Sequence, residues 1–345
     1  MVRDLSRLFR SALGELPLEE YATESTPETI RADLSLTINP LGPSPRIEQA
    51  LRAIDARSLA HYPHAPIDLI EEIATILSVQ PEAIVLTAGC DGGISLVTRA
   101  IVDTDTVVVL PRPSWHRYAL HVKAMGGKVS YEDTIKSDAK LYIASNPITP
   151  TGELIAASTI RDLVRSFDGI VLMDEALGDG FESSARFTKD HTNLIVARSF
   201  SKSYGLASLR IGYLIAHPDT AAIIRRLASP FEVSSIAAQL ALEALRDTAH
   251  LEQMIHFVEK ERIRVFRALD QLGFEHSDSS IGVFFVRSHP LSERELVEGL
   301  ARRGVKVTGA AIFGCTTPGI RVSLASAIEN DMFIQAISAL RKDRS

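Results

Sequence analysis

The sequence predicts an α/β fold in which a mainly parallel β-sheet lies between layers of helices, with a smaller α+β domain at the C-terminus. Two observations support this prediction. Short apolar runs alternate with helical patterns from about residue 84 onward, and each run is apolar throughout, as expected for strands that are buried on both faces. The pattern then changes after about residue 235. Ligands of such a sheet are expected outside the carboxyl ends of its strands.

The individual elements follow from these patterns. Strands of the large sheet are expected at residues 84–87, 107–110, 141–144, 170–174, 195–199 and 212–216. Helices are expected at residues 1–16 and 158–167, where apolar positions recur at helical spacing. A nearly continuous helical pattern covers 236–272, and shorter strands follow at 283–286, 305–307 and 320–323, before a closing helix that ends near residue 340.

The change of pattern predicts a division of the chain into three parts. Residues 1–40 are expected to form an N-terminal segment that joins the small domain. Residues 41–235 are expected to form the large α/β domain, and residues 236–345 the small α+β domain. A chain of 345 residues is long enough for this arrangement.

Composition and charge narrow the possible classes of function. A formal net charge of −6 argues against a surface for nucleic acid or for an anionic membrane. No apolar run reaches the ~20 residues of a membrane helix. Cys90 and Cys315 are too few for a disulfide framework, and no spacing of histidine or cysteine indicates a metal site. We therefore expect a cytoplasmic protein without metal, nucleic-acid or membrane partners.

Lys202 lies three residues after the end of the predicted strand 195–199, in the run S-F-S-K-S. Ser199 and Ser201 supply hydroxyl donors, and Arg210 supplies a guanidinium fork for phosphate oxygens. A lysine amine held beside phosphate-binding groups at the end of a buried strand is what a cofactor bound as a Schiff base requires. A lysine without such neighbours is usually a solvated surface residue, so this interpretation depends on the other motifs.

A glycine-containing turn upstream has the properties of a phosphate site. Gly89, Cys90 and Asp91 join the predicted strand 84–87 to a helix. Free backbone N–H groups and the helix dipole at such a position bind phosphate. Without the lysine motif, an ordinary turn between a strand and a helix would be the better interpretation.

Two further residues stand at the ends of predicted strands. Trp115, the only tryptophan, follows the strand 107–110, and Asp174 ends the strand 170–174. A single tryptophan is often a core residue, and an aspartate after a strand can cap a helix. In the order in which they occur with the turn and the lysine, both residues are candidates for a cofactor site.

Together these motifs resemble the fold-type I pyridoxal-phosphate enzymes, in the branch of histidinol-phosphate aminotransferases and threonine-phosphate decarboxylases. The similarity extends from the run L-T-I-N-P-L-G-P at 36–43 to I-R-V-S at 320–323. Its most specific element is S-x-S-K with an arginine eight residues beyond the lysine. The resemblance implies a mainly parallel sheet of seven strands sandwiched by helices, and pyridoxal 5′-phosphate as the cofactor.

The resemblance also implies roles for residues around the cofactor. Lys202 holds the cofactor and moves the proton of the substrate, and Trp115 stacks on the pyridine ring. Asp174 pairs with the ring nitrogen, so that the ring acts as an electron sink. Tyr62 matches a tyrosine that reaches the cofactor phosphate of the neighbouring subunit, which implies a homodimer with shared active sites.

For the substrate, the resemblance implies a small amino acid and a 2-oxo acid. Arg321 matches the arginine that binds the α-carboxylate, since a guanidinium fork orients a carboxylate with little freedom. Asn39, in the run I-N-P-L-G, is a further candidate for substrate binding. The fragment around Asn39 resembles the decarboxylases more closely than the aminotransferases.

Three positions depart from the pattern of the aminotransferases. Thr149 stands where an asparagine usually contacts the phenolic oxygen of the cofactor, and Leu177 stands where a tyrosine contacts the same oxygen. With fewer donors on this oxygen, we expect a higher pKa for the imine that joins lysine and cofactor. Thr308 stands where histidinol-phosphate aminotransferases carry an arginine, which argues against histidinol phosphate as the substrate.

The leading hypothesis is an aminotransferase that exchanges an amino group between an α-amino acid and a 2-oxo acid. An α-decarboxylase of a phosphorylated amino acid is the first alternative, because Leu177 and the run around Asn39 favour it. A non-catalytic relative that binds the cofactor is the second alternative, suggested by Thr149 and Leu177.

Overall fold

The computed structural model describes residues 10–16, 29–131 and 138–343. Twelve strands lie within these ranges. In chain order they are β1 (Ala32–Asp33), β2 (Ile84–Thr87), β3 (Val107–Val109), β4 (Lys128–Ser130), β5 (Leu141–Ser145), β6 (Ile170–Asp174), β7 (Leu194–Ser199), β8 (Gly212–Ala216), β9 (Val283–Arg287), β10 (Val305–Lys306), β11 (Thr308–Gly309) and β12 (Gly319–Ser323).

Ten α-helices lie between these strands or flank them. They are α1 (Pro45–Ala53), α2 (Ile67–Leu77), α3 (Gly89–Ile101), α4 (His116–Ala124), α5 (Ala157–Ser166), α6 (Pro218–Arg225), α7 (Ser235–Leu245), α8 (Thr248–Gln271), α9 (Glu293–Arg302) and α10 (Ala327–Lys342). Short 3-10 helices occur at Ser11–Glu15, Ala56–Ala60, Pro81–Ala83, Ser184–Phe187, Ala207–Leu209 and Ala310–Phe313. None of the described helices combines the length and apolarity that crossing a lipid bilayer requires.

The large sheet has seven strands in the order β2-β8-β7-β6-β5-β3-β4. β8 runs antiparallel to both of its neighbours, and all other neighbours are parallel. The predicted α/β class and the mainly parallel sheet are therefore confirmed. β4 was not among the predicted strands, because it is an edge strand of three residues that begins with the exposed Lys128.

The strands of this sheet are apolar throughout because helices cover both faces. In β6, Val171 and Met173 contact one core, which α1, α2, α5 and α7 complete. Leu172 points to the opposite core, which α3, α4 and α6 complete. Each face removes apolar side chains from water, which stabilises the fold by roughly 1.5–3 kcal/mol per large side chain.

A second group of elements packs around a separate core. β9, β11 and β12 form an antiparallel sheet in the order β11-β12-β9, and β1 pairs with β10. Ala32 and Leu34, from the N-terminal segment, lie in the same core as residues of α8, α9 and α10. This packing supports the prediction that the N-terminal segment joins the small domain. The predicted strand 305–307 corresponds to β10, which ends at Lys306. A separate strand, β11, follows it at Thr308–Gly309 and pairs with β12 rather than with β1.

The long helix expected at 236–272 is interrupted. α7 ends at Leu245 and α8 begins at Thr248, with the Asp247 side chain capping α8 by accepting a hydrogen bond from the N–H of His250 at 3.2 Å. The buried residues of α7 lie in the core of the large sheet. We therefore propose that the domain boundary lies at this interruption rather than at residue 235.

The helix expected at residues 1–16 falls partly outside the described ranges. Residues 1–9 are not among those that the structure describes. Within the described part, Ser11–Glu15 form a 3-10 helix rather than an α-helix.

Candidate active site

A cavity of about 540 Å³ lies where several strands of the large sheet end. It is lined by many of the residues that the sequence singled out, namely Cys90, Asp91, Trp115, Thr149, Asp174, Ser199, Ser201, Lys202, Arg210 and Arg321. The cavity opens at the carboxyl ends of β6 and β7, where ligands of such sheets are expected. Ser35 and Arg321, 286 positions apart in sequence, both line it, because the ends of the parallel strands face the small sheet and the N-terminal segment across the cavity.

One end of the cavity is built from hydrogen-bond donors. Gly89 begins α3 with a φ of 74°, and a Cβ atom there would lie 2.7 Å from Nη2 of Arg210. Only glycine lets the arginine approach so closely without a shift of either group. Ser199 and Ser201 are buried beside them. Backbone N–H groups at the start of a helix, two hydroxyls and a guanidinium together suit a phosphate group.

Asp174, the last residue of β6, is buried and held by three donors. The hydroxyl of Tyr118 donates to Oδ2 at 2.6 Å, and the N–H of Ala176 donates to Oδ1 at 2.9 Å. The thiol of Cys90 also donates to Oδ1, at 3.2 Å. Burial raises the pKa of Asp174 above its ordinary value, although the hydrogen bond from Tyr118 opposes this shift. A cation placed beside this carboxylate would be strongly favoured.

Tyr118, which donates to this carboxylate, is itself packed against a second aromatic ring. Trp115 packs edge-to-face on Tyr118, with ring centroids 5.5 Å apart. Tyr118 is fully buried, and its burial together with the charge of Asp174 raises the pKa of its hydroxyl well above the ordinary value. The hydroxyl therefore stays protonated and remains a donor, while Trp115 presents its ring to the cavity.

Lys202 projects its amine toward the N-terminal segment. Its Nζ donates a hydrogen bond to the carbonyl oxygen of Thr37 at 3.0 Å. Burial, and then the positive charges of Arg321 and Arg210, lower the pKa of Lys202 from 10.5 to about 8. About a tenth of the amine is thus neutral at pH 7, and the neutral amine is the form that acts as a nucleophile or base.

Arg321, in the middle of β12, reaches the same cavity from the small sheet. Its Nη1 donates to the carbonyl oxygen of Ser35 at 2.7 Å, and its Nη2 donates to the hydroxyl of Thr37. The guanidinium is buried and lies 5.9 Å from the ring centroid of Phe313. Thr37 therefore contacts both Arg321 and Lys202, which sets the two cations on either side of one residue.

Asp91 is engaged by groups outside the phosphate-binding end. Arg117 binds its carboxylate with two hydrogen bonds of 3.0 and 2.9 Å, and Nε2 of His121 lies 2.8 Å from Oδ1. Burial opposes ionisation, but the hydrogen bonds from His121 and Arg117 hold the pKa of Asp91 well below its ordinary value. The side chain of Asp91 therefore links α3 to α4. Binding of the cofactor by Asp91 stays a prediction, and it would involve the backbone N–H of this residue.

Thr149, Leu177 and Thr308, the three positions that depart from the family pattern, all line the cavity. The N–H of Thr149 donates to the hydroxyl of Ser145 at 3.0 Å, which holds this loop at the end of β5. Thr149 itself is buried. Leu177 follows Asp174 by three residues and contributes only apolar surface.

Asn39 and Tyr62 lie apart from the lining of this cavity. The side chain of Asn39 donates to the carbonyl oxygen of Ser203 at 2.6 Å and accepts from the N–H of Leu41 at 2.8 Å. It thereby joins the N-terminal segment to the loop after Lys202. Tyr62 is 79% exposed and stacks on Phe231 with ring centroids 5.0 Å apart. Substrate binding by Asn39 and a contact of Tyr62 with a partner subunit stay predictions.

Two residues at the centre of the site, Tyr118 and Thr37, were not among the residues predicted from the sequence. Tyr118 lies in the first turn of α4, three residues after Trp115. Residues three apart on a helix lie on the same face, so the two side chains are neighbours. Thr37 acts partly through its backbone oxygen, which no side-chain motif reports. For Tyr118, the only signal in the sequence was its spacing of three residues from Trp115.

The groups around the cavity fit pyridoxal 5′-phosphate. The space beside Gly89 that a Cβ would fill, next to Arg210 and two serine hydroxyls, matches the phosphate. Asp174 matches a protonated ring nitrogen, and Trp115 matches the face of the ring. The amine of Lys202 is the nucleophile that an aldehyde requires.

Comparisons with known proteins agree with this geometry. The family model described as aminotransferase class I and II matches residues 32–340. The chain is 32% identical to histidinol-phosphate aminotransferase 1 of Archaeoglobus fulgidus, over 87% of this chain and 96% of that protein. In fold it is similar to histidinol-phosphate aminotransferase of Sinorhizobium meliloti in complex with pyridoxal-5'-phosphate, with a TM-score of 0.85, 23% identity and 98% of each chain covered. It is also similar in fold to L-threonine-O-3-phosphate decarboxylase of Porphyromonas gingivalis, with a TM-score of 0.80 and 22% identity, over 90% of this chain and 99% of that chain.

Proposed function

Because the chain belongs to the class I and II aminotransferases, with pyridoxal 5′-phosphate as its cofactor, we propose that Lys202 holds that cofactor and that Arg321 binds the substrate carboxylate. The amino group moves between an α-amino acid and a 2-oxo acid. One observation supports this assignment above the others. An amine with a pKa of about 8 shares one cavity with a buried carboxylate, a set of phosphate donors and a buried guanidinium.

Residues at one end of the cavity would bind the cofactor phosphate, and residues at the other end would bind the cofactor ring. Gly89, Ser199, Ser201 and Arg210 would hold the phosphate, while Asp174 would pair with the ring nitrogen and Trp115 would cover the ring. When bound, pyridoxal 5′-phosphate draws electron density away from the substrate Cα. Asp174 supports this chemistry because its fixed negative charge keeps the ring nitrogen protonated.

Lys202 and Arg321 then act on the substrate. Arg321 fixes the α-carboxylate, which limits rotation of the amino acid around its Cα. Nζ of Lys202, on the other side of Thr37, is the group that removes and returns the proton at Cα. The neutral amine is required for removal, and burial and the neighbouring arginines favour that form.

A phosphorylated amine is the second candidate for the substrate, because the relative in Archaeoglobus fulgidus is named for histidinol phosphate. Three arginines line the cavity: Arg117 is paired with Asp91, Arg210 lies at the phosphate end, and Arg321 faces the substrate. A guanidinium binds phosphate as well as carboxylate. The guanidinium of Arg321 is therefore compatible with a substrate carboxylate or a substrate phosphate, so the experiment compares the two kinds of substrate.

The test is a comparison of amino donors with purified protein loaded with the cofactor. Amino acids and histidinol phosphate would each be mixed with 2-oxoglutarate, and glutamate and the new oxo product would be measured. We expect equal amounts of both products and no carbon dioxide. Release of carbon dioxide without glutamate would favour the decarboxylase hypothesis, and no turnover of any donor would favour a non-catalytic relative.

Assembly and location are part of the same proposal. The exposed Tyr62, stacked on Phe231, supports a homodimer in which this tyrosine enters the site of the partner. Both cysteines are free, which fits the reducing cytoplasm. Sedimentation of the purified protein would test the dimer, and a mass of one chain would contradict it.

A further inference from the structure

A second cavity of about 330 Å³ adjoins the active-site cavity. It lies between the loop that follows β6 and helix α8, and three residues, Thr37, Leu177 and Lys202, line both cavities. The two spaces therefore meet at the lysine and at the leucine that departs from the family pattern.

The walls of the second cavity are mainly apolar. They include Phe181, Met254, Ile255, Val258, Ile281 and Leu324. These residues come from the loop after β6, from α8, and from the segments next to β9 and β12. Replacement of the water beside such an apolar surface by an apolar group lowers the free energy of the system.

Most polar groups in this cavity already have partners within the protein. The carboxylate of Asp179 pairs with Arg198 at 2.5 Å, and both side chains are buried. Nη1 of Arg262 donates to the carbonyl oxygen of Ser279 at 2.9 Å. Apart from Lys202 at the junction, the remaining charged residue of the lining is Glu259, which is exposed. A charged ligand group would have to compete with these contacts, whereas an apolar group would not.

Leu177 stands at the junction. The aminotransferase pattern that the sequence resembles has a tyrosine at this position, which is larger and ends in a hydroxyl. Leucine leaves more room and adds no donor, so the junction accepts apolar atoms without leaving a polar group unpaired.

We propose that the second cavity receives the side chain of the substrate, and that the substrate is an α-amino acid with a large apolar side chain, such as leucine or phenylalanine. This inference rests on the proposed function. With the carboxylate at Arg321 and Cα beside Nζ of Lys202, a side chain directed past Leu177 enters the second cavity. Its burial favours such donors over alanine by ~10- to 100-fold in kcat/KM.

The test uses a variant that fills the cavity. Ile255→Trp places a larger side chain in the space, and Ile263→Trp is the matched control, because Ile263 lies on the same helix and is 49% exposed. We expect Ile255→Trp to lower kcat/KM for leucine and phenylalanine by at least tenfold, and to leave kcat/KM for alanine and 2-aminobutyrate within twofold. Ile263→Trp should change neither value.

A measurement on the unmodified enzyme keeps the inference testable even if Ile255→Trp does not fold. Binding of 4-methyl-2-oxopentanoate and of pyruvate would be compared through quenching of Trp115 fluorescence, and the larger oxo acid should bind at least tenfold more tightly. Equal binding, or an equal loss of all donors in Ile255→Trp, would overturn the inference and leave the proposed function standing. Absence of turnover with every amino acid would instead refute the proposed function and this inference with it.

Discussion

The hydroxyl of Tyr118 donates a hydrogen bond of 2.6 Å to Oδ2 of Asp174, and both residues are buried. This contact joins the first turns of α4 to the end of β6. With Ala176 and Cys90 donating to the other carboxylate oxygen, Asp174 has little freedom to rotate. The orientation of the Asp174 carboxylate, which would pair with the ring nitrogen, is therefore fixed before the cofactor binds.

We expect Tyr118→Phe to weaken this arrangement in two ways. A buried carboxylate that loses a donor should cost about 1–3 kcal/mol in the free energy of unfolding. The pKa of Asp174 should rise further, so the affinity for pyridoxal 5′-phosphate should fall. Urea unfolding of the cofactor-free protein and titration with the cofactor would measure both effects.

The control for this variant is Tyr131→Phe, because Tyr131 is 38% exposed and its ring contacts Arg112. This control should leave both quantities nearly unchanged. If Tyr118→Phe and Tyr131→Phe behave alike, the hydrogen bond to Asp174 has no influence on the site.

The sequence predicts those elements of the fold that a local pattern of residues determines, and it misses those that depend on distant contacts. β6 and β8 were predicted with the bounds that the structure shows, because continuous apolar runs end there at polar or small residues. β4 was missed because a three-residue edge strand with an exposed lysine has no such run. Short strands of this kind depend on pairing with a neighbour, in this case β3, which a local pattern does not report.

The candidate site shows the same limit. Lys202 and Asp174 were identified because a motif of side chains surrounds each of them. Thr37 was not, since it contacts Lys202 through its backbone oxygen across 165 positions of sequence. The partners of Asn39 are likewise backbone groups, so only the folded chain shows that its amide joins two segments.

The lowered pKa of Lys202 predicts an unusual pH dependence for its reactivity. Because the folded protein favours the neutral amine, labelling of Lys202 by cyanate in the cofactor-free protein should rise with a midpoint near pH 8 rather than 10.5. Mass spectrometry of the peptide that contains Lys202 would follow the reaction.

Removal of a neighbouring positive charge should shift that midpoint upward. Arg321 is the charge with the largest effect after burial, so Arg321→Gln should raise the pKa of Lys202. The exposed Arg302→Gln serves as the control and should leave the midpoint unchanged. A midpoint that is the same in all three proteins would show that Arg321 does not influence the amine.

Arg321 should also determine the affinity for the substrate carboxylate. Arg321→Lys keeps the charge but removes the planar fork, so KM for the amino acid should rise by ~10- to 100-fold. We expect kcat to fall less, because Lys202 and Asp174 stay in place. Steady-state kinetics over a range of donor concentrations would separate the two parameters, and an unchanged KM would contradict carboxylate binding by Arg321.

The proposed dimer predicts that two inactive variants restore each other. Lys202→Ala removes the amine, and Tyr62→Ala removes the tyrosine that would reach the partner's cofactor phosphate. In a hybrid of the two, one site would combine the intact Lys202 of one subunit with the intact Tyr62 of the other, while the second site would lack both. Mixed variants, after dissociation and reassociation, should therefore regain up to one functional site per hybrid dimer.

The control for the hybrid experiment mixes Lys202→Ala with Asp174→Ala. Both residues line the same cavity of one chain, so every site in that hybrid lacks one of them and activity should not return. Recovery should also scale with the fraction of hybrid dimer, measured by native mass spectrometry of differently tagged chains. If the Tyr62→Ala mixture gains no more activity than this control, Tyr62 acts within its own subunit or not at all, because only a residue that crosses the interface can be supplied by the partner.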